Sequence, residues 1–311
     1  MKNKIVSILM AGLLGTMLIG CGEKTPVSEV QDTTEETIVS DETSASEVTE
    51  EAAEEAAATE EVAEDVQAVI DRGVLRVGVK NAVIGFGYED PLTGDYSGLE
   101  IEIAKALAEK LGVDIEFTAV TAATRTELLD SGDIDCVLAT FTITEERKQS
   151  WDFSTPYYTD YVSVLVEDAS GITGLADLAD KTVGVSSGST SAKSLVSAMI
   201  EAGVISGDGF DADSFDPATW TEGVKFQQYD DYPTISTALS AGEVDAFCVD
   251  KSILAIYKTE GRSYIDAEFA PQEYGVATRK DSGMSAVAEE LVTGLMEDGT
   301  IAGLITENGL D

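Results

Sequence analysis

The alternation of apolar and polar positions divides the chain from Val74 onward into short apolar runs and longer stretches of helical period. Val74–Val79 predicts a strand. Leu99–Leu111 predicts a helix with Leu99, Ile103, Leu107 and Leu111 on one face and Gly112 as its C-cap. Asp114–Val120 predicts a second strand, Arg125–Ser131 a short helix stopped by Gly132, and Ile134–Ala139 a buried strand. Tyr161–Val166 is a β-rich crossing segment, after which the pattern starts again. A helix near Leu175–Leu178, a strand at Thr182–Val185 and an apolar-faced helix through Leu195, Met199 and Ile200 are followed by a strand at Val224–Gln228 and a helix at Thr234–Ala241. A strand at Tyr274–Thr278 and helices at Met284–Met296 and Ile301–Glu307 close the chain. The Gly- and Asp-rich stretch Ser206–Trp220 predicts a surface excursion. Strands alternating with helices mean a parallel α/β sheet, which places ligands beyond the carboxyl ends of its strands.

The pattern also repeats. Leu129-Asp-Ser-Gly-Asp-Ile-Asp-Cys-Val-Leu-Ala-Thr140 is echoed by Leu239-Ser-Ala-Gly-Glu-Val-Asp-Ala-Phe-Cys-Val-Asp250: a helix end, a Gly-acid turn and a buried strand closed by a polar residue. Two similar α/β lobes are expected, with residues 67–163 and 266–311 in the first and 164–265 in the second. Extended crossings between the lobes leave a cleft that closes around a small ligand. Cys136 and Cys248 fall on equivalent strands of different lobes, which predicts two separate buried thiols.

Composition narrows the function. The 311 residues hold 59 Asp or Glu against 19 Lys or Arg, a net charge of -40, which repels nucleic acid and gives no polybasic membrane contact. Histidine, the commonest general base and metal ligand, is absent, and the three cysteines form no CxxC pair, so neither metal nor other cofactor is implied. Lys2 and Lys4 precede an apolar run from Ile5 to Ile19 that is too short to span a bilayer and ends in Leu18-Ile19-Gly20-Cys21. This resembles a bacterial lipoprotein signal, which implies cleavage after residue 20, lipidation of Cys21 and a protein held on the outer face of the cytoplasmic membrane. Gly22–Val66 carries sixteen acids against Lys24 alone and no aromatic residue, the composition of a disordered, self-extending tether over residues 21–66.

The chemistry concentrates after the strand Ile134–Ala139. Thr140, Thr142 and Thr144 alternate, Glu145 and Glu146 follow, and Thr144 as N-cap would carry Arg147 on the first turn of a helix. Hydroxyls and a guanidinium so placed can hold a carboxylate, although an ordinary surface Arg paired with Glu explains the segment equally well.

Residues Val69–Asp311 resemble the family 3 extracellular solute-binding proteins, the amino-acid receptors of bacterial ABC importers. The resemblance rests on Leu75-Arg-Val-Gly-Val79, Gly98-Leu-Glu-Ile-Glu-Ile-Ala104, Ala139-Thr-Phe-Thr-Ile-Thr-Glu-Glu-Arg147, Asp152-Phe-Ser-Thr-Pro-Tyr-Tyr158 and Val244-Asp-Ala-Phe-Cys-Val-Asp250. It implies a two-lobed periplasmic-binding-protein-like fold of type II, an ABC permease with its ATPase subunits as partners, and a monomer that catalyses nothing. It further implies that Arg147 and Thr142 hold the ligand's α-carboxylate, with Thr190 adding donors from a helix N-terminus. Asp250, helped by Thr140, would accept the α-ammonium. Val120-Thr-Ala-Ala-Thr-Arg125, Asp230-Asp-Tyr-Pro-Thr-Ile235 and Val249-Asp-Lys-Ser-Ile-Leu254 look most like the glutamate/aspartate-binding branch, in which Lys80, Arg125 and Tyr232 would meet a side-chain carboxylate. Pairing of both cations with surface acids such as Glu127 is the competing expectation. A receptor for glutamine or cystine, or a dehydratase-type enzyme on the same fold, are the rival functions. Phe86 stands where many members carry a stacking aromatic and is expected to pack under the site instead.

Overall fold

The computed structural model describes residues 62–311. The predicted signal, Cys21 and the tether as far as residue 61 lie outside them. In chain order the described part runs α1 (Glu64–Arg72), β1 (Val74–Val79), β2 (Ala82–Val83), β3 (Gly87–Glu89), β4 (Tyr96–Ser97), α2 (Leu99–Leu111), β5 (Asp114–Ala119), α3 (Thr124–Ser131), β6 (Cys136–Leu138) and β7 (Trp151–Phe153). It continues through β8 (Tyr158–Glu167), β9 (Lys181–Ser186), α4 (Ser191–Glu201), β10 (Val224–Tyr229), α5 (Tyr232–Ala241), β11 (Ala246–Asp250) and α6 (Lys251–Leu254). The last elements are β12 (Arg262–Tyr264), β13 (Phe269–Tyr274), β14 (Ala277–Arg279), α7 (Gly283–Glu297) and α8 (Thr300–Glu307).

Two sheets give two lobes. The first has the order β5-β1-β6-β14-β7 and the second β10-β9-β11-β8-β12, with β13 also on β8. In the first, β1 runs parallel to β5 and β6 while β14 runs antiparallel to β6 and β7. In the second, β9 runs parallel to β10 and β11 while β8 runs antiparallel to β11, β12 and β13. Strands β2, β3 and β4 form a small separate sheet beside α2. This is the two-lobed α/β architecture expected, with its two crossings.

The sequence echo is a physical symmetry. Asp135 exchanges backbone and side-chain hydrogen bonds with Arg76 of β1: its N–H donates to the carbonyl at 2.8 Å and its Oδ2 accepts the N–H at 2.9 Å. Asp245 does the same with Thr182 of β9, at 2.8 Å in each direction. Each acid turn therefore locks a buried strand to its parallel neighbour. Cys136 and Cys248 are both buried and unbridged, and burial pushes both thiols up.

Several expectations need correction. Strands β8 and β13 belong wholly to the second sheet, so the chain changes lobes between Phe153 and Tyr158 and again between Tyr274 and Ala277, not near residues 163 and 266. The expected strand Tyr274–Thr278 is the second of these crossings, split at Gly275 and Val276. The expected tether to Val66 overlaps α1, where Val66 and Val69 are buried and Asp65 accepts from Ser282 and from Gly283 N–H at the start of α7. Glu64 and Asp65 are both first-turn charges of α1, not part of the solvated run before them. Leu175–Leu178 and Arg147–Gln149 are 3₁₀ turns where α-helices were expected, although Thr144 Oγ1 does accept from the Arg147 N–H at 3.1 Å.

The excursion at 206–220 contains no helix or strand, but its aromatic residues pack against the core of the second lobe. Phe210, Phe215 and Trp220 meet at ring-centroid distances of 5.6 to 5.9 Å, and Phe215 also reaches Phe226 of β10.

Candidate ligand-binding site

The carboxyl ends of the parallel strands of both sheets converge. From the first lobe come Lys80 directly after β1, Arg125 in the first turn of α3 after β5, and Thr140, Thr142 and Arg147 after β6. From the second come the Ser187–Thr190 turn after β9, Tyr232 at the start of α5 after β10, and Asp250 ending β11. The topology therefore gathers all eight expected ligand residues at one level of the molecule.

Their burial is unusual for such side chains. Lys80 is 4% exposed, Arg125 2%, Asp250 5% and Tyr232 6%. Arg125 Nη1 donates to the carbonyls of Ala139 at 2.8 Å and Thr140 at 3.2 Å, and its guanidinium stacks 3.8 Å from the Phe141 ring centroid. Lys80 Nζ lies 5.2 Å from the Tyr232 ring centroid. Among the described residues neither cation has a carboxylate within 4.0 Å, so pairing with Glu127 does not occur. Burial, and then the charge of Arg125, pushes the Lys80 ammonium down to about 7.

Arg147 spans the cleft. Its Nη1 donates to Thr142 O at 2.7 Å, its Nη2 donates to Gly188 O of the second lobe at 3.1 Å, and its guanidinium lies 4.7 Å from the Phe141 centroid. Burial and Arg125 push it down to about 9, so it keeps its charge at neutral pH. Thr142 and Thr190 both donate to one oxygen, Gln272 Oε1, at 2.9 and 2.6 Å. Two hydroxyls from different lobes thus already converge on a single acceptor.

Asp250 has one oxygen bonded to the Tyr274 hydroxyl and the other, Oδ1, without a partner among the described residues. Burial, reinforced by the nearby Asp160 carboxylate, raises its carboxyl to about 7. Phe86 is fully buried and packs edge-on to Tyr158 and to Tyr274, whose hydroxyl donates to Asp250.

Four buried polar atoms in this cluster lack any partner among the described residues: Asp250 Oδ1, Thr140 Oγ1, Arg125 Nε and Glu100 Oε2. Folded proteins rarely leave such atoms unpaired, and together they supply acceptors and donors for a small polar ligand. Glu100, Phe141, Gln272 and Tyr274 are members that the sequence reading did not place here. For Glu100 a signal existed: it is in helical register with Ile103, Ala104 and Leu107, on the buried side of α2. Gln272 and Tyr274 reach the site through the pairing of β13 with β8, which no local pattern announces.

The lobes are in contact around this cluster. Lys193 of α4 pairs with Glu146 of the first lobe at 2.7 Å and donates to Ala212 O of the excursion at 3.1 Å. Phe141, Thr144, Trp151, Ser189, Lys193 and Phe215 line the opening on that side.

Comparison with known proteins agrees with this architecture. A glutamine-binding protein of Geobacillus stearothermophilus is 32% identical over 287 residues, covering 90% of this chain and 94% of that one. The glutamate-binding protein GluB of Corynebacterium glutamicum is 31% identical, covering 78% and 80%. Among solved structures, an ancestral arginine-binding protein bound to arginine superposes with a TM-score of 0.63 at 31% identity, covering 76% of this chain and 98% of that one. Residues 75–307 match the bacterial extracellular solute-binding proteins, family 3, and the chain belongs to that family.

Proposed function

We propose that the protein is the receptor of an ABC amino-acid importer, tethered outside the cytoplasmic membrane by lipid on Cys21, and that it captures an acidic amino acid, glutamate or aspartate, by lobe closure. The α-carboxylate takes the place of Gln272 Oε1 as acceptor for the Thr142 and Thr190 hydroxyls and pairs with Arg147. The α-ammonium donates to Asp250 Oδ1 and Thr140 Oγ1. Because these groups come from both lobes, the ligand favours the closed state by its differential contacts.

The observation that carries the acidic reading is the pair Lys80 and Arg125, both buried and, among the described residues, neither with a carboxylate within 4.0 Å. A side-chain carboxylate between them supplies that match. Glutamine is the second reading, favoured by the unpartnered Glu100 Oε2, which can accept from an amide N–H. The identities of 32% to a glutamine-binding and 31% to a glutamate-binding relative do not separate the two.

Titration calorimetry with glutamate, aspartate, glutamine and cystine decides between them. Glutamate or aspartate is expected to bind at least tenfold more tightly than glutamine. Lys80→Met is expected to cost glutamate about 2 kcal/mol or more, roughly thirtyfold in affinity, while sparing glutamine. Arg147→Ala is expected to abolish both. Clear binding of a neutral amino acid without heat from either acid would sink the acidic assignment.

A further inference from the structure

Glu100 is the second residue of α2, and its side chain is completely buried. Its Oε1 accepts from the Thr140 N–H and from the Tyr157 hydroxyl, both at 2.6 Å. Its Oε2 accepts from nothing among the described residues. A carboxylate serving only to cap a backbone turn has no need to keep its second oxygen desolvated and open.

Position explains more. Arg125 Nη1 donates to the carbonyl of Thr140, the same residue whose N–H donates to Glu100. Glu100 and Arg125 therefore grip opposite ends of Thr140 and hold it at a φ of 45°, in the left-handed region that a β-branched residue rarely enters. This places the carboxylate beside the two cations that face the ligand's side chain. Its charge favours the protonated state of both Lys80 and Arg125, and they in turn oppose the upward push that burial gives its own carboxyl.

We propose that Glu100 is a specificity-determining residue: its carboxylate sets the charge of the wall that meets the ligand's side chain, and with it the ratio in which the site takes acidic and neutral amino acids. The proposal rests on the reading that an amino acid binds in this cleft with its side chain toward Lys80 and Arg125. Arg125 and the Lys80 ammonium face the Glu100 carboxylate there, which makes the wall less positive than the two cations alone would make it. Without Glu100 the wall would be more positive toward a ligand carboxylate, which itself favours protonated Lys80, and it would lose the open acceptor that a ligand amide can use. Both changes act in the same direction, toward the acidic ligand.

The test is the ratio of glutamine to glutamate dissociation constants, measured at neutral pH on the wild type, Glu100→Gln and Glu100→Asp. Glu100→Gln is expected to raise that ratio about tenfold or more, because one charge beside the ligand side chain is removed. Glu100→Asp keeps the charge that Thr140 and Tyr157 require but withdraws it by a methylene, and is expected to move the ratio the same way by less. If Glu100 only braces Thr140, both affinities fall by the same factor in each variant and the ratio stays put, which overturns the proposal. Should Glu100→Gln fail to fold, the Glu100→Asp ratio decides alone. Which ligand the protein prefers is read separately, from the wild type: a preference for glutamine would refute the acidic assignment, and the direction of the shift would still judge Glu100.

Discussion

Asp250 and Lys80 are opposite charges driven toward the same pH from opposite sides. Burial raises the carboxyl from its usual range to about 7, and burial lowers the ammonium to about 7. The ligand's ammonium requires Asp250 ionised, so below pH 7 binding must expel a proton and the apparent affinity falls by up to about tenfold per pH unit. An acidic side chain requires Lys80 protonated, so above pH 7 binding must take up a proton and affinity falls again. Glutamate affinity is therefore expected to peak near pH 7, whereas a neutral ligand shows the acid limb alone. Calorimetry between pH 5 and 9, in buffers of different ionisation enthalpy, measures both limbs and the protons exchanged; a flat glutamate profile would refute the assignment of these two groups. Both groups weaken the fold near neutrality. The contribution of Asp250 is present below its unfolded value of 3.8 and lost as pH rises through 7; that of Lys80 is present above 10.5 and lost as pH falls through 7. Lys80 and Asp250 stand at the ends of apolar runs, but their roles, like those of Arg125 and Arg147, were implied by the family resemblance and not by the local pattern. Glu100 was not singled out, because an acid in the first turn of a helix has an ordinary explanation in the helix dipole.

At the scale of elements, the Ser187–Thr190 turn shows why one position tolerates no side chain. Gly188 has a φ of 74°, and a Cβ there would stand 2.8 Å from Ala122 O and 3.0 Å from Ala123 Cα in the opposite lobe. Its carbonyl also receives Arg147 Nη2. Gly188→Ala therefore obstructs closure more than it strains the second lobe, for which the left-handed conformation costs about 1 kcal/mol. Ligand affinity is expected to fall at least tenfold while the thermal midpoint without ligand changes by only a few degrees. Equal losses of ligand-free stability and affinity would mean that the turn matters for folding and not for closure. Strand β1 and helices α2 and α7 were legible to within a residue or so, since each carries its own period and punctuation. Strands β12 and β13 were not: they hold their places by pairing with β8, and Pro271 breaks the pattern where β13 bulges. The second crossing looked like one strand because Gly275, whose Cβ would stand 2.9 Å from Ile143 Cδ1, interrupts it on spatial grounds that a local reading cannot reveal.

For the whole molecule, two lobes were legible from the internal echo, but where they touch was not, since that depends on segments far apart in sequence. The crossings bond to each other, Ser154 N–H to Val276 O and Tyr157 N–H to Tyr274 O, each at 2.9 Å, and form a paired hinge. Away from the hinge, the excursion at 206–220 acquires a role through Lys193, which joins Ala212 O of the excursion to Glu146 of the first lobe. An exposed pair of this kind is worth at most about 1 kcal/mol, and salt screens it. It exists only when the lobes meet, so its loss acts on the closed state and appears in release of the ligand more than in capture. Lys193→Ala is expected to speed ligand dissociation by up to about fivefold with the association rate nearly unchanged. The chain has only two tryptophans, and Trp151 lines the opening beside Lys193, so stopped-flow fluorescence can follow release directly. Raising the salt concentration is expected to accelerate release from the wild type and to have less effect on the variant. If both respond to salt equally, the pair takes no part in closure, and the excursion serves only to shield the second core.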